Sequence, residues 1–209
     1  MTTNQDGVTH QNMHTGTVPP NMNHGGHELF DVHEVLSSAI GALNQAILLR
    51  PHVKDPELLD ILDRQYRFTL DEYNITVECF KSGHDPSHPT SSYKMKEGND
   101  FIYGMKPGQP KKPITNASEI TDEIISGFLL GSAKAGASMK AMAACEVCNP
   151  VVRRVLADSV PNCIEMAYEL AIYQNKHHYY QVPQLASQDM TQLLNAFAPA
   201  GQPGMPPLQ

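Results

Sequence analysis

Four long helical segments, separated by one unusually long connection, constrain the fold of this 209-residue chain most. They run from about Glu28 to Leu49 (A), Pro56 to Gly83 (B), Ser118 to Met142 (C) and Pro150 towards Tyr180 (D). Apolar residues recur in each at spacings of three and four, which is typical of amphipathic helices. The A–B and C–D connections are short, so each pair is predicted to be antiparallel.

The connection between B and C, residues 83–117, is too long for an ordinary loop in a compact domain. We interpret it as a crossover that returns the chain to the opposite end of a bundle. Its apolar patch at Phe101, Ile102 and Tyr103 could hold it in place, as a short strand. The prediction is an all-α, ferritin-like four-helix bundle, with two antiparallel pairs joined by a long crossover and a short C-terminal helix from Ser187.

Cap residues support these boundaries. Asp55-Pro56 and Asn149-Pro150 each place a capping side chain before a proline at the first helical position. Gly83 is a stop signal after segment B. Pro161 lies inside segment D and is predicted to kink or divide it.

The periodicity also predicts which faces point inward. For segment A, the predicted inward stripe is Leu29, His33, Leu36, Ile40, Leu43 and Ile47, with His33 buried or half-buried. For B it is Leu58, Leu62, Tyr66, Thr69/Leu70, Tyr73, Val77 and Phe80. For C it is Ile120, Ile124, Phe128, Gly131, Ala135, Met139 and Met142. For D it is Val152, Leu156, Val160, Ile164, Ala167 and Ala171.

The two ends of the chain differ from its body. Residues 1–24 lack Lys and Arg and are predicted to be a disordered arm containing His and Met. The Pro/Gly-rich residues 198–209 are predicted to be a disordered tail. The bundle domain is therefore expected over residues 25–197. No secretory signal is visible, and no window approaches the ~18 uninterrupted apolar residues of a membrane span.

Charge argues against nucleic-acid binding. The net charge is −7, and only residues 81–112 are basic, with six lysines against three acids. Phosphate contact needs a cationic surface, so no nucleic-acid partner is expected. The basic segment is expected to pair with an acidic face of its own chain or of a neighbouring copy.

A di-metal centre of the ferritin type would need inward carboxylates on four helices, two of them in Glu-x-x-His motifs. The predicted faces place Glu34, Asp71 and Glu78 outward, and Glu72 on a flank. They place Asp158, Glu165 and Glu169 together on an outward face of D. No Glu-x-x-His occurs in B, C or D. We therefore predict no catalytic residue, no cofactor-binding residue and no metal ligand in the bundle.

Other candidate sites are weaker. Cys145-x-x-Cys148 resembles one half of a zinc site or a redox motif, but no second such pair occurs. The cysteines of such a chain are more often buried residues of the hydrophobic core. His177-His178 lies at a helix end, where a cationic histidine is favourable. The histidines and methionines of the N-terminal arm, with His33, leave open a metal-binding or redox protein as the alternative.

Several stretches together resemble the spore coat protein F (CotF-like) family of endospore-forming bacteria. They are HGGHELFDVHEVL in A, DILDRQYRFTLDEYNITVECFKSG in B, NPVVRRVLADSVPNCIEMAYELAIYQNK in D, and YYQVPQL. The resemblance covers about residues 24–197. It implies a ferritin-like fold without an established catalytic site, and a protein made during sporulation and placed in or under the spore coat.

The sequence and the resemblance together predict a non-enzymatic structural or interaction protein of the spore coat. Its expected partners are other spore coat proteins and a second copy of itself. The predicted homodimer uses the small-residue face of C, where Gly127, Gly131 and Gly136 each cost ~1 kcal/mol relative to Ala, or the exposed side of the crossover. An enzyme with an unrecognised pocket is the third possibility.

Overall fold

The protein is an all-helical bundle in a computed structural model that describes residues 18–96 and 98–200. Its helices are α1 (Gly26–Leu49), α2 (Pro56–Ser82), α3 (Asp122–Glu146), α4 (Pro150–Lys176) and the short α5 (Ser187–Leu194). The prediction of an all-α bundle with a short C-terminal helix is confirmed.

Two hydrophobic clusters at opposite ends of the bundle give the helix directions. The first joins the start of α1 and the start of α4 to the last turns of α2 and α3, through Val35, Val151, Cys79 and Ala143. The second joins the end of α1 and the end of α4 to the first turns of α2 and α3. Hence α1 is antiparallel to α2, α3 is antiparallel to α4, and the crossover runs the length of the bundle.

The predicted cap residues hold the helix ends. The Asp55 side chain accepts a hydrogen bond from the Glu57 amide at 2.9 Å, and Asn149 accepts from the amides of Val151 and Val152. Helix α3 starts later than predicted: residues Ala117–Glu119 form a separate turn, and Thr121 is the N-cap. Pro161 does not divide α4, which is a single helix.

The predicted inward face of α1 is wrong by about one residue's rotation, roughly 100°. The residues that α1 buries are Glu28, Val32, Val35, Leu43, Ala46 and Leu49. His33 is exposed, and its ring meets the edge of Phe80 at a centroid distance of 6.5 Å. The physical reason is that α1 is apolar over most of its circumference, so periodicity does not distinguish its two apolar sides.

The same error occurs in α3 and α4. Helix α3 buries Ile125, Ser126, Leu130, Lys140, Ala143 and Ala144. Phe128, Gly131, Ala135 and Met142, all predicted to point inward, are exposed. In α4, Val152 and Leu156 are buried as predicted, whereas Ile164 is 57% exposed. Helix α2 matches best, since Leu58 and Leu62 are buried and its aromatic residues are half-buried.

The crossover is held by side chains of α4 rather than by a strand. Asn175, which is 2% exposed, accepts from the Ile102 amide at 2.6 Å and donates to the Ile102 and Tyr180 carbonyls. Beyond this point the described residues contain a single parallel bridge, Tyr103 with Val182. Residues 101–103 therefore hold the crossover, but mainly through backbone hydrogen bonds rather than as an apolar patch, since the Ile102 and Tyr103 side chains are 49% and 63% exposed.

Replacing Asn175 with alanine should release the crossover while leaving the helices formed. Three hydrogen bonds end on this side chain, and losing buried bonds of this kind costs about 1–3 kcal/mol. Limited proteolysis should then cleave residues 98–116 faster than in the wild type. Asn195→Ala, in the exposed turn after α5, is the matched control and should leave the cleavage rate unchanged. Equal cleavage of all three proteins would contradict the role given to Asn175.

Two lysines of the basic crossover pair with acids of the bundle, as the charge distribution suggested. Lys96 Nζ lies 2.9 Å from Asp60 Oδ1, and Lys111 Nζ lies 2.7 Å from Glu123 Oε1. All four side chains are substantially exposed. Such exposed pairs contribute little to the free energy of folding, so they orient the crossover on the bundle without contributing much to its stability.

One segment of the described chain, Gly26–His52, is long and apolar enough to cross a membrane by length and composition alone. A core helix of a bundle passes the same test. Here α1 packs against α2 and α3 and forms one wall of the bundle, with the Ser132 hydroxyl donating to Gln45 Oε1 at 2.8 Å.

Candidate functional site

Three buried carboxylates, on three different helices, are the most unusual chemical feature of the interior. Glu28 of α1 and Glu169 of α4 are each 0% exposed, and Glu72 of α2 is 3% exposed. The predictions that Glu169 points outward and that Glu72 lies on a flank are therefore wrong. Buried carboxylates are costly unless they are paired, so the partners of each decide what it can do.

Glu169 lies between α2 and the crossover. Arg64 Nη2 donates to its Oε1 at 2.7 Å, and the Tyr93 hydroxyl donates to its Oε2 at 2.5 Å. Gln65 Nε2 and the Lys96 amide donate at 3.2 Å and 3.0 Å. The periodicity of α4 predicted that this acid points away from the bundle, but the crossover covers that side of α4 and buries the carboxylate.

These contacts set the protonation state of the cluster. Burial pushes the pKa of Glu169 upward, but the hydrogen bonds from Arg64 and Tyr93 outweigh it and hold the pKa below the ordinary glutamate value. Burial, together with the bond to Glu169, raises the pKa of Tyr93. Glu169 is therefore ionised at neutral pH and Tyr93 is a neutral donor, which makes the cluster a structural ion pair.

Glu72 lies deeper, in the centre of the bundle. Lys140 Nζ of α3 donates to Oε2 at 2.7 Å, and Asn162 Nδ2 of α4 donates to Oε1 at 2.7 Å. The Asn162 side chain also accepts from the Tyr93 amide and donates to the Ser91 carbonyl. The two carboxylate clusters are thus linked through the crossover at residues 91–93.

A cavity of about 90 Å³ adjoins this pair. All four long helices line it, mostly with small and aliphatic side chains, and Glu72, Lys140 and Cys163 supply its charged and thiol groups. Burial disfavours the ammonium of Lys140, but the attraction of Glu72 outweighs it and raises the pKa of Lys140. Burial also raises the pKa of the Cys163 thiol, so this thiol is protonated and unreactive as a nucleophile.

Glu28 lies at the end of the bundle where α3 turns into α4. Its Oε2 accepts from the amides of Gly25, Cys148 and Asn149 at 2.9–3.2 Å, and its Oε1 lies 2.6 Å from His24 Nδ1. Glu28 lies in the first turn of α1, and its carboxylate joins that turn to the α3–α4 turn.

Residues 20–24, which belong to the arm expected to be disordered, pack on the bundle. The His24 ring lies on Phe80 at a centroid distance of 5.1 Å, and the Pro20 carbonyl lies directly against Gly83. Gly83 has φ +68°, a backbone conformation that favours glycine, and it leaves room for that carbonyl. The predicted disorder of residues 1–17 and 201–209 lies outside the described residues, as do His10, Met13 and His14.

Gly83→Ala is expected to loosen this N-terminal segment. A left-handed residue with a side chain costs about 1–2 kcal/mol, and a Cβ at this position would collide with Pro20. The melting temperature should fall by a few degrees, at about 2–4 °C per kcal/mol for a chain of this size. Gly26→Ala, whose Cβ would meet nothing within 4 Å, is the control and should leave it unchanged or slightly raised. An equal fall in both variants would argue against the contact.

The candidate residues from the sequence do not come together as a metal site. Within residues 18–96 and 98–200, no group of three or more His, Cys, Asp or Glu is placed to hold a metal ion. Cys79 and Cys163 are buried, whereas Cys145 and Cys148 are exposed. The prediction that the cysteines are buried core residues is therefore wrong for Cys145 and Cys148. His177 packs on Tyr173 and lies 3.4 Å from Asp55, at the end of α4.

Comparison with known proteins points to one family. The sequence model of the Coat F domain matches residues 121–183, which contain α3, α4 and the turn after them. The spore coat protein F-like protein YhcQ of Bacillus subtilis (strain 168) is 56% identical over 185 residues, or 88% of this chain and 85% of that protein. No solved structure matches the chain significantly.

Proposed function

This chain belongs to the spore coat protein F family, and we propose that it is a non-enzymatic structural unit of the spore coat. In this proposal it is made in the cytoplasm of the sporulating cell, and it assembles with other spore coat proteins and with further copies of itself. Residues 25–197 act as the rigid unit and the chain ends as adaptors.

The hydrogen bonding of the three buried carboxylates is the observation that supports a non-enzymatic role. Each accepts hydrogen bonds from groups of its own chain, and two of them are neutralised by Lys140 and Arg64. A carboxylate that serves a metal or a substrate needs an open coordination position or a free lone pair towards a cavity. Glu28 and Glu169 accept four and five hydrogen bonds that join their helices to other parts of the chain, and Glu72, which lines the central cavity, is bound by Lys140 and Asn162; this supports a rigid unit.

The ferritin-like assignment is part of the same proposal. The crossover that runs the length of the bundle and joins the parallel helices α2 and α3 supports it. In this interpretation Lys140 supplies, at the centre of the bundle, the positive charge that a metal ion supplies in di-metal relatives of the fold.

Localisation during sporulation tests the function. A fluorescent fusion in the sporulating host should move to the spore periphery as the coat assembles, and affinity capture should recover coat proteins. Deleting the gene should change coat composition, spore resistance or germination. A fusion that stays diffuse in the cell throughout, together with an unchanged coat after deletion, would overturn the proposal.

A further inference from the structure

The outer side of α1 is apolar and uncharged along most of its length. Residues 35–49 contain no Asp, Glu, Lys or Arg. Ile40, Ile47 and Leu48 are 43%, 51% and 72% exposed, and Leu29 and Phe30 continue the apolar surface towards the start of the helix. An exposed apolar face of this extent on a bundle helix indicates an interaction surface.

The exposed residues follow the spacing of a helix–helix seam. His33, Ser37, Ile40, Asn44 and Ile47 succeed one another at intervals of four and three, and all five are exposed. Ile40 and Ile47 are one heptad apart, and Ser37 and Asn44 between and beside them are uncharged, so the row has heptad spacing with an apolar centre and polar neighbours. A straight helix with the same residue spacing can therefore pack along this seam.

We propose that this seam is the interface of a homodimer, in which α1 packs antiparallel against α1 of a second copy; the inference deepens the proposed self-assembly and rests on it. An isologous interface needs a surface that is complementary to itself, and a charge-free seam meets this condition. Antiparallel pairing also keeps like charges apart, because it places Asp31 and Glu34 of the two copies at opposite ends of the seam, and Arg50 is already paired with Asp63 of its own chain.

Gly41 gives independent support for close approach beside the middle of the seam. A glycine inside a helix costs about 1 kcal/mol relative to alanine. No packing contact within residues 18–96 and 98–200 requires it, because a Cβ at Gly41 would meet none of their atoms within 4 Å. In the antiparallel dimer Gly41 lies at the midpoint of the helix, about 80° to the side of the seam, where the absence of a side chain lets the partner helix come close on that side.

The available area suffices for a stable dimer. The 24 residues of α1 span about 36 Å at ~1.5 Å per residue. The flank of α2 beside it adds Tyr66 and Tyr73, which line the same cavity as Leu36 and Ala39 of α1. A band of two helix widths, roughly 20 Å, then gives about 700 Å² per copy, or about 1,400 Å² in total, which is within the standard size of specific interfaces.

The small-residue face of α3 is the weaker candidate for the same partner. Lys134 lies at the midpoint of α3 and is exposed. An antiparallel pair of α3 helices would bring the two Lys134 side chains together, and like charges across an interface are unfavourable. Of the α3 glycines, Gly127 and Gly136 have Gln174 and Cys163 of α4 beside them, so helix packing inside the bundle already accounts for both.

Sedimentation of the purified full chain tests the interface. At micromolar concentration the wild type should sediment at twice its monomer mass of 23.0 kDa. Ile47→Lys should weaken association by about tenfold or more and give the monomer. Ile164→Lys is the matched control, because Ile164 is similarly exposed but lies on α4, and it should leave the dimer intact. Circular dichroism establishes that both variants remain folded.

Other outcomes would overturn the interface. A monomeric wild type, or a dimer that Ile47→Lys leaves unchanged, would do so. So would loss of the dimer on Leu193→Lys, because the exposed apolar side of α5 would then be the occupant. Flotation of a monomeric wild type with phosphatidylcholine vesicles would assign the seam to a lipid surface instead. None of these results depends on localisation in the spore, so the interface and the proposed function can fail separately.

Discussion

Replacing Glu169 with alanine is expected to lower the free energy of unfolding by about 3–5 kcal/mol, the usual cost of removing one partner of a buried ion pair. The change leaves the Arg64 guanidinium, whose side chain is 15% exposed, without its main carboxylate partner. It also removes the acceptor of the Tyr93 hydroxyl and of the Lys96 amide. The melting temperature should fall by roughly 10 °C or more, as judged by calorimetry.

Glu165→Ala provides the control for this change. Glu165 lies one turn earlier on the same helix and is half-buried, so the two variants share the same change in helix propensity. We expect it to alter the free energy of unfolding by no more than about 0.5 kcal/mol. Similar losses for both positions would show that the Glu169 cluster does not carry the stability assigned to it.

The same cluster predicts how stability depends on pH. The folded protein holds the pKa of Glu169 below its ordinary value, so the pair contributes fully above the unfolded value of about 4.3. Its contribution is lost as the pH falls through the folded pKa. Between about pH 7 and pH 3 the wild type should therefore lose more stability than Glu169→Ala, and parallel curves would contradict this.

The second large effect concerns the central pair of Glu72 and Lys140. Lys140→Met alone leaves a buried carboxylate without its cation and should cost about 3–5 kcal/mol. The double variant Glu72→Gln and Lys140→Met removes both charges and keeps an oxygen that can accept from Asn162. Replacing a complete buried pair with neutral groups is often neutral or stabilising, by up to about 4 kcal/mol. We therefore expect the double variant to regain most of the loss.

A complete double-mutant cycle measured by chemical denaturation decides this. The coupling free energy between the two positions should be large, because Lys140 donates a hydrogen bond directly to Glu72. If the double variant is as unstable as the sum of the two single variants, then the pair is not an isolated electrostatic unit. The cavity beside it would then have to be part of the explanation.

The helix pairs, their caps and the crossover could be predicted from sequence because local signals specify them. Asp55, Asn149 and Gly83 cap or end their helices through neighbouring backbone groups, so these helix boundaries do not depend on the rest of the fold. The inward faces of α1 and α3 could not be predicted in this way. Both helices are apolar or small on more than one side, and the choice between sides depends on the neighbouring helices.

The buried acids were missed for a related reason. Glu169 lies on the side of α4 that a simple bundle exposes, and only the path of the crossover covers it. Lys140 is in register with the inward residues Ala143 and Ala144 of α3, so it becomes a signal only once the inward face of α3 is known. A lone lysine on an inward face requires a buried acid nearby. The identity of that acid still depends on how the helices pack.

The carboxylate clusters also set the order in which the chain can become stable as it leaves the ribosome. Glu28 needs the amides of residues 148–149, and Glu72 needs Lys140 and Asn162. Arg64, likewise in the first half, needs Glu169. The first helix pair is therefore synthesised with its buried ions unmatched. It gains its stability only when α4 has emerged, so the bundle folds as one cooperative unit once α4 has left the ribosome rather than one half at a time.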